Sequence, residues 1–353
     1  MKPLQQIPIP LLEWYQDNAR NLPWREDTPN AYHVWVSEIM LQQTRVTAVL
    51  GYYARFMQAL PTIADLANIS EDALLKLWQG LGYYSRARNL QKAAQEIMTR
   101  FGGEFPSAYA DIRSLPGIGD YTAAAISSIV YGQPYPAVDG NLLRVSARIS
   151  GDHDDISATK TKKKITAALG DIIPARQPGA FNQAMMDLGA TICLPNGAPH
   201  CHHCPLSAFC VAFQTEQTGI LPVKAPKKPR RIEERSVFLF FHQGCVALRR
   251  RPDRGLLAKL WEFPNELGDD TLPYLASLGI SKAPDFSSLG RHIFTHIEWH
   301  MTAYTMTMEN DALPPDWVWA DAAAFHQQYA VPSAFADFFP ILDAHWGQAK
   351  PLK

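Results

Sequence analysis

Leu115-Pro116-Gly117-Ile118-Gly119-Asp120, continued by Tyr121-Thr122-Ala123-Ala124-Ala125-Ile126, is the stretch from which the fold is read. It joins two segments of helical pattern, 107–114 and 120–132. Glycines at alternate positions let the backbone turn tightly and point N–H groups outward with no side chain in the way. At the start of a helix from Asp120, those N–H groups and the helix dipole make a seat for phosphate. Many helix–helix turns need glycine and bind nothing, but flanking helices of suitable length make this a helix-hairpin-helix candidate. Gly117 and Gly119 are then candidate DNA contacts, of the kind that positions a protein without reading sequence.

Further along, Cys193-x7-Cys201-x2-Cys204-x5-Cys210 gathers four of the five cysteines behind a helix of small and apolar residues. The opening MKPLQQIPIPLLEW has no unbroken apolar run of signal-peptide type, so these thiols are expected to stay reduced. Four close thiolates are the ligand set of a [4Fe–4S] cluster or of an all-cysteine zinc site. A zinc ribbon sets two CxxC knuckles face to face. One tight pair with wider flanking gaps favours the cluster. Cys245 alone reads as a small buried hydrophobe.

With 353 residues, 47% of them hydrophobic, the chain has room for two or three globular domains. No stretch approaches membrane-spanning length, and a cytoplasmic protein associated with the nucleoid through DNA is expected. The net charge of −1 hides an asymmetry: residues 1–218 sum to −1, 219–235 to +4 and 236–353 to −4. The positive segment carries PVKAPKKPRRIEER and reads as an extended linker. A polyanion must therefore be held by local devices, not by bulk charge.

A helical pattern runs from Ala31 to about Phe101, with Ser70 as an N-cap before Glu71 and Asp72. Helical segments follow at 141–150, 160–173 and 180–192. Beyond the linker the period changes. SVFLFFH, a Gln-Gly turn and CVALRR read as a hairpin. Ile297, Trp299, Met301 and Ala303 alternate with polar residues as in a half-buried strand, and 332–343 is again helical.

Two carboxylates stand out. Glu38 lies in a helix read over Val34–Thr44, amid Trp35, Ile39, Met40 and Leu41. Desolvation there would raise its pKa toward what a proton donor needs near neutral pH. Asp139, before Gly140-Asn141, is by itself most simply a helix N-cap. Paired with Glu38 it gains another meaning, because glycosidic cleavage through a sugar cation needs one acid for the leaving group and one anion beside the charge.

Taken together, VWVSEIMLQQT, GLGYYSRARNL, LPGIGDYTAAAI, AVDGNLLRV, FNQAMMDLGATIC and the cysteine cradle resemble the MutY-type adenine DNA glycosylases. These belong to the helix-hairpin-helix superfamily that includes endonuclease III. The resemblance implies a multidomain chain, with an all-α glycosylase module carrying a [4Fe–4S] cluster followed by an α/β Nudix-like domain. The module is expected over 1–218, with a cluster lobe from 1–30 and 138–218 and a helical barrel over 31–137. The linker then spans 219–235 and the Nudix-like domain 236–346.

By the same resemblance Glu38 is the catalytic acid and Asp139 stabilises the oxocarbenium ion. Tyr121 and Asn141 would be polar groups around the flipped adenine. Gln42 and Tyr83, with Gln43 and Thr44 beside them, would wedge into the base stack. Trp24 and Arg25 fall in a family motif without an assigned role. Phe294-Thr295-His296 stands where the family has a Phe-Ser-His loop that recognises 8-oxoguanine, and Cys193, Cys201, Cys204 and Cys210 would hold the cluster. The expected partner is double-stranded DNA with adenine opposite 8-oxoguanine or guanine, bound by a monomer that touches no membrane.

Bifunctional relatives carry a lysine nucleophile where Tyr121 stands, so a monofunctional glycosylase is expected. GLLAKLWEFP resembles the Nudix segment but lacks the downstream Glu and Arg residues that would hold magnesium. The first cysteine gap has seven residues where relatives commonly have six. Its loop also lacks Lys and Arg, leaving His200, His202 and His203 to face phosphate. His300 is expected on an exposed strand face. Rival readings are an endonuclease III-like glycosylase for another lesion and a non-catalytic DNA-binding Fe–S protein.

Overall fold

The computed structural model describes residues 2–226 and 229–347; Lys227 and Lys228 of the basic linker lie outside the described residues. The chain divides into two compact units, one made of 1–68 with 89–227 and the other of 69–88 with 228–353. Residues 69–88 thus group with the carboxy-terminal part of the chain.

The helices are α1 (Pro8–Asn18), α2 (Ala31–Leu41), α3 (Val46–Ala59), α4 (Ile63–Asn68), α5 (Glu71–Leu77) and α6 (Ser85–Arg100). They continue as α7 (Tyr109–Ser114), α8 (Asp120–Ile129), α9 (Gly140–Ser150), α10 (Thr159–Gly170), α11 (Pro178–Thr191) and the single turn α12 (Val211–Gln214). All but α5 and the start of α6 belong to the first unit.

The helical pattern expected over 31–101 is real but broken into five helices. The helix read through Thr44 stops at Leu41, because Gln43 turns to φ 58° and the Thr44 N–H closes on the Leu41 carbonyl at 3.2 Å. Pro61 disfavours helical geometry at Leu60, which ends α3. Ser70 caps α5 as its sequence suggests, accepting from the Ala73 N–H at 3.3 Å.

Both ends of the first unit share one core. Leu4 and Leu11 pack with Leu142 of α9, Leu169 of α10, Phe181 and Met185 of α11, and Leu206. Burying these side chains supplies the stabilisation, at roughly 1.5–3 kcal/mol each. Small residues set the helix spacing at the centre. Ala123, Ala124 and Ala125 of α8 are buried, and a Cβ on Gly189 of α11 would lie 2.7 Å from Asn141 Cβ.

In the second unit a mixed sheet is built from β1 (Arg231–His242), β2 (Cys245–Arg250), β3 (Trp261–Glu262), β4 (Asn265–Leu267), β5 (Asp285–Ile293), β6 (Ile297–Thr307) and β7 (Trp317–Ala320). The strand order is β3-β2-β1-β6-β5, with β4 on β1 and β7 on β2. The expected hairpin is β1–β2, turned by Gln243 at φ 45° and Gly244 at φ 79°. β1 also runs parallel to β6 along its whole length, a long-range pairing that local pattern does not encode.

Helices α13 (Leu272–Ser277), α14 (Ala322–Gln327) and α15 (Phe339–His345) complete this unit. Both sheet faces are covered over the middle of β1, where six consecutive residues, 236–241, are buried. Val237, Leu239 and Phe241 pack toward Phe325, Phe335 and Leu342, and Phe238 and Phe240 toward Leu275. The helix expected over 332–343 is a 3-10 turn, Ser333–Phe338, running into α15. Glu262, in the Nudix-like segment, is buried and paired with Arg249 and Arg251. His300, expected on an exposed face, is half-buried and bonded to Glu298 at 2.8 Å.

Replacing Gly189 by Ala should cost about 1–3 kcal/mol, since neither α11 nor Asn141 can retreat without opening the core. Urea unfolding at neutral pH measures this; an unchanged midpoint would show that the helices are not held at contact distance.

Candidate active site and cysteine cavity

Glu38 points from α2 into a cavity of about 560 Å³ inside the first unit. Its walls include Trp24, Arg25, Tyr121, Asp139, Asn141 and Met186. Three segments far apart in sequence thus deliver the acid, the tyrosine and the second carboxylate to one space. Glu38 is 5% exposed and accepts a 2.6 Å hydrogen bond from the Tyr121 hydroxyl. Burial pushes its pKa up to about 7, with Asp139 adding to the rise while Tyr121 and Arg25 oppose it. Burial likewise raises the Tyr121 hydroxyl well above its ordinary value.

Asp139 has a structural place and a position at the cavity. It caps α9, accepting from the Leu142 N–H at 2.8 Å, and it lines the cavity. Its other oxygen accepts from Asn141 Nδ2 at 2.8 Å. Burial pushes this carboxyl up, and the Leu142 and Asn141 donors with the Arg144 charge pull against it. A cavity with two carboxyls in such unequal surroundings can keep one protonated while the other is ionised.

Two charged groups escaped the sequence reading. Asp187 of α11 has a fully buried side chain and binds the Arg20 and Arg25 guanidinium groups, at 2.6 Å each. Burial pushes Asp187 up, but the bonds and charge of Arg25 and Arg20 outweigh it and hold it below the carboxylate range. Arg144 is the other. It donates to Asn141 Oδ1 at 2.9 Å, to the Gly189 carbonyl at 2.7 Å and to the Cys193 carbonyl at 2.8 Å. A single charged residue in an otherwise apolar stretch, Asp187 in AMMDLGA and Arg144 in NLLRV, was the available signal.

The hairpin glycines differ. Gly117 has φ 77° and a Cβ there would meet Asn89 Cβ at 2.7 Å, so only glycine fits. Gly119 has ordinary geometry as the N-cap of α8, and a Cβ there would meet nothing. Beyond the end of α2, Gln42 Nε2 donates to Thr122 Oγ1 at 3.3 Å and Thr44 Oγ1 to the Gln42 carbonyl at 3.3 Å.

Tyr83 and the Phe294–His296 turn lie in the second unit. Tyr83 is at φ 48° and 45% exposed, and its hydroxyl is 3.0 Å from Thr295 Oγ1. The turn joins β5 to β6. Phe294 anchors it edge-on against Trp299, with ring centroids 4.8 Å apart, and the His296 carbonyl accepts from the Arg231 N–H at 3.1 Å.

Cys193, Cys201, Cys204 and Cys210 line one apolar cavity with Leu188, Pro199, Leu206 and Phe213. Among the described residues no three His, Cys, Asp or Glu side chains converge to hold a single ion. Four sulfurs around a common space are the donor set of a [4Fe–4S] cluster or of an all-cysteine zinc site. Arg148 brings a positive charge, its Nη1 lying 3.2 Å from Cys193 Sγ. Burial raises the Cys201, Cys204 and Cys210 thiols, Cys204 to about 12, so a bound metal would have to supply the charge that deprotonates them.

The family model of the HhH-GPD superfamily of base excision DNA repair proteins matches residues 36–174, and that of the NUDIX domain matches 236–339. The adenine DNA glycosylase of Mus musculus is 34% identical, over 95% of this chain and 77% of its own. That of Homo sapiens is 35% identical over 94% and 73%, and that of Arabidopsis thaliana 41% over 74% and 47%. A thermostable thymine-DNA glycosylase aligns with TM-score 0.55 and 26% identity over 61% of this chain and 98% of its own. Endonuclease III in a non-covalent DNA complex aligns with TM-score 0.52 and 25% identity over 60% and 97%. Among the described residues no helix is long and apolar enough to cross a membrane. With two relatives above 30% identity along nearly the whole chain, this protein belongs to the adenine DNA glycosylase family, and it is a base excision repair enzyme that removes adenine from DNA.

Proposed function

We propose that the enzyme is monofunctional and acts on adenine opposite 8-oxoguanine or guanine, with Glu38 as general acid and Asp139 as the anion beside the sugar. The observation that carries this is the buried Glu38, bonded to Tyr121, in the cavity that Asp139 also lines. Reaching the bond requires the adenosine to leave the stack and enter that cavity. Glu38, protonated near neutral pH, gives its proton to N7 of the base, so that adenine departs neutral. Tyr121 then donates to the carboxylate left behind. Asp139 faces the sugar cation until water adds at C1′ and gives up its proton to the Glu38 carboxylate, and Asn141 keeps Asp139 oriented through the 2.8 Å bond. The hydroxyl of Tyr121 replaces an amine nucleophile, so strand cleavage is not part of the reaction.

Gly117 and Gly119 would seat a backbone phosphate, and Gln42, Gln43, Thr44 and Tyr83 would approach the stack around the lesion. Phe294, Thr295 and His296 would read the opposite base, the Thr295 hydroxyl standing in for serine. The four cysteines would hold a [4Fe–4S] cluster, which when bound supplies a rigid, charged brace for the loop that Arg144 and Arg148 engage.

Glu38→Gln should lose excision by on the order of a thousandfold or more while still binding the mispaired duplex; full activity would end the assignment. The chemical step in single turnover should fall as pH rises through about 7. Product strands should break only after alkali, and breaks without it would contradict the Tyr121 argument.

Stability carries the same signature. The folded Glu38 pKa, about 7, exceeds the ordinary 4.5, so its contribution is complete below 4.5 and lost as pH climbs through 7. Wild type should lose up to about 3 kcal/mol across that window relative to Glu38→Gln. Denaturant titrations at pH 5 and 8 check this, and parallel curves would mean that the acid is not desolvated.

Purified protein should contain about four iron and four sulfide per chain. Bound zinc alone would overturn the cluster.

A further inference from the structure

The segment 79–86 is a stiff object. Arg86 lies under the Trp78 and Tyr83 rings, 5.5 Å from each centroid, and donates to the Leu81 and Gly82 carbonyls at 3.1 and 3.2 Å. Trp78 Nε1 donates to the Gly82 carbonyl at 3.1 Å as well. Such a loop moves as a body, so the position of Tyr83 depends on what the body is fastened to.

It is fastened to the carboxy-terminal sheet domain. Lys76 Nζ donates to the Phe325 and Tyr329 carbonyls at 3.1 and 2.8 Å, satisfying acceptors at the open end of α14. Gln79 Nε2 donates to the Val331 carbonyl at 2.7 Å, and Arg88 Nη1 to the Ala258 carbonyl at 3.0 Å. Two ion pairs, Glu71 with Lys259 at 2.7 Å and Asp72 with Arg250 at 2.9 Å, sit on the rim. Exposed pairs of that kind contribute little. The bonds from Lys76 and Gln79 to fixed backbone acceptors set the register instead. Burial brings Lys76 down to about 8.

We infer that Lys76 and Gln79 are positioning residues for reading the base opposite the excised adenine. They dock the 79–86 loop on the carboxy-terminal domain, so that the Tyr83 hydroxyl and the Thr295 hydroxyl stay together as one composite surface. Neither residue lines the cavity that holds Glu38 and Asp139. The inference rests on the proposed role of the 294–296 turn, and the test separates the two.

The measurement is kcat/KM for adenine excision from duplexes with 8-oxoguanine or guanine opposite, in the full-length enzyme. Lys76→Met combined with Gln79→Leu should lower the 8-oxoguanine over guanine ratio by on the order of tenfold, within the loss that a misplacement of about 1 Å brings. The rate opposite guanine should stay within about twofold of wild type. Lys76→Arg, which keeps the charge and donors, should restore most of the ratio. If the double variant lowers both rates equally or leaves the ratio unchanged, the positioning role is wrong. Tyr83→Phe with Thr295→Val controls for the reading beneath it. Should that pair leave the ratio at the wild-type value, the turn does not read the base, and the inference falls with it. A lowered ratio in that pair with none in the Lys76 variant would sink the positioning role alone.

Discussion

Helix α11 meets α8 and α9 at nearly backbone distance, and the chemistry depends on that approach. A Cβ on Gly179 would lie 2.8 Å from Ile129 Cα, and one on Gly189 2.7 Å from Asn141 Cβ. With side chains there, Tyr121 on α8 and Asp139 at the head of α9 could not share a wall with Met186 of α11. Burial of Glu38 on α2, beside these helices, is the largest cause of its high proton affinity. Packing and acidity are therefore one property of this core.

The charges around the cavity are arranged by partner count. Among the described residues Glu38 has the Tyr121 hydroxyl as donor, and Asp139 has the Leu142 N–H, the Asn141 amide and the nearby Arg144. The group with fewer donors is the better proton carrier, and the group with more is the better anion. Asp187 completes the pattern by occupying Arg20 and Arg25. Arg25, held at that carboxylate, is the weakest of the influences on Glu38.

What could be read in the chain followed from local rules. An acid among Trp35, Ile39 and Met40, a glycine pair at a helix start, and four cysteines between 193 and 210 are each local patterns. Asp139 needed Glu38 beside it, since a cap and an anion look alike in sequence. Long-range partners were not legible. Asp187 meets Arg20 across 167 residues, and Arg144 reaches backbone carbonyls that any side chain could provide. Short strands such as β3 and β4 owe their existence to β2 and β1. The end of α2 was misjudged because glutamine at positive φ leaves no compositional mark.

The attachment of residues 69–88 to the second unit bears on how the polypeptide is made. Lys76 leaves the ribosome some 250 residues before the carbonyls it caps, those of Phe325 and Tyr329. Synthesis at about 5–20 residues per second separates them by tens of seconds. During that interval the Lys76 ammonium and the Gln79 amide lack the backbone acceptors they hold in the folded protein. These bonds close only when α14 and the residues after it emerge and engage a helix that was translated near the beginning.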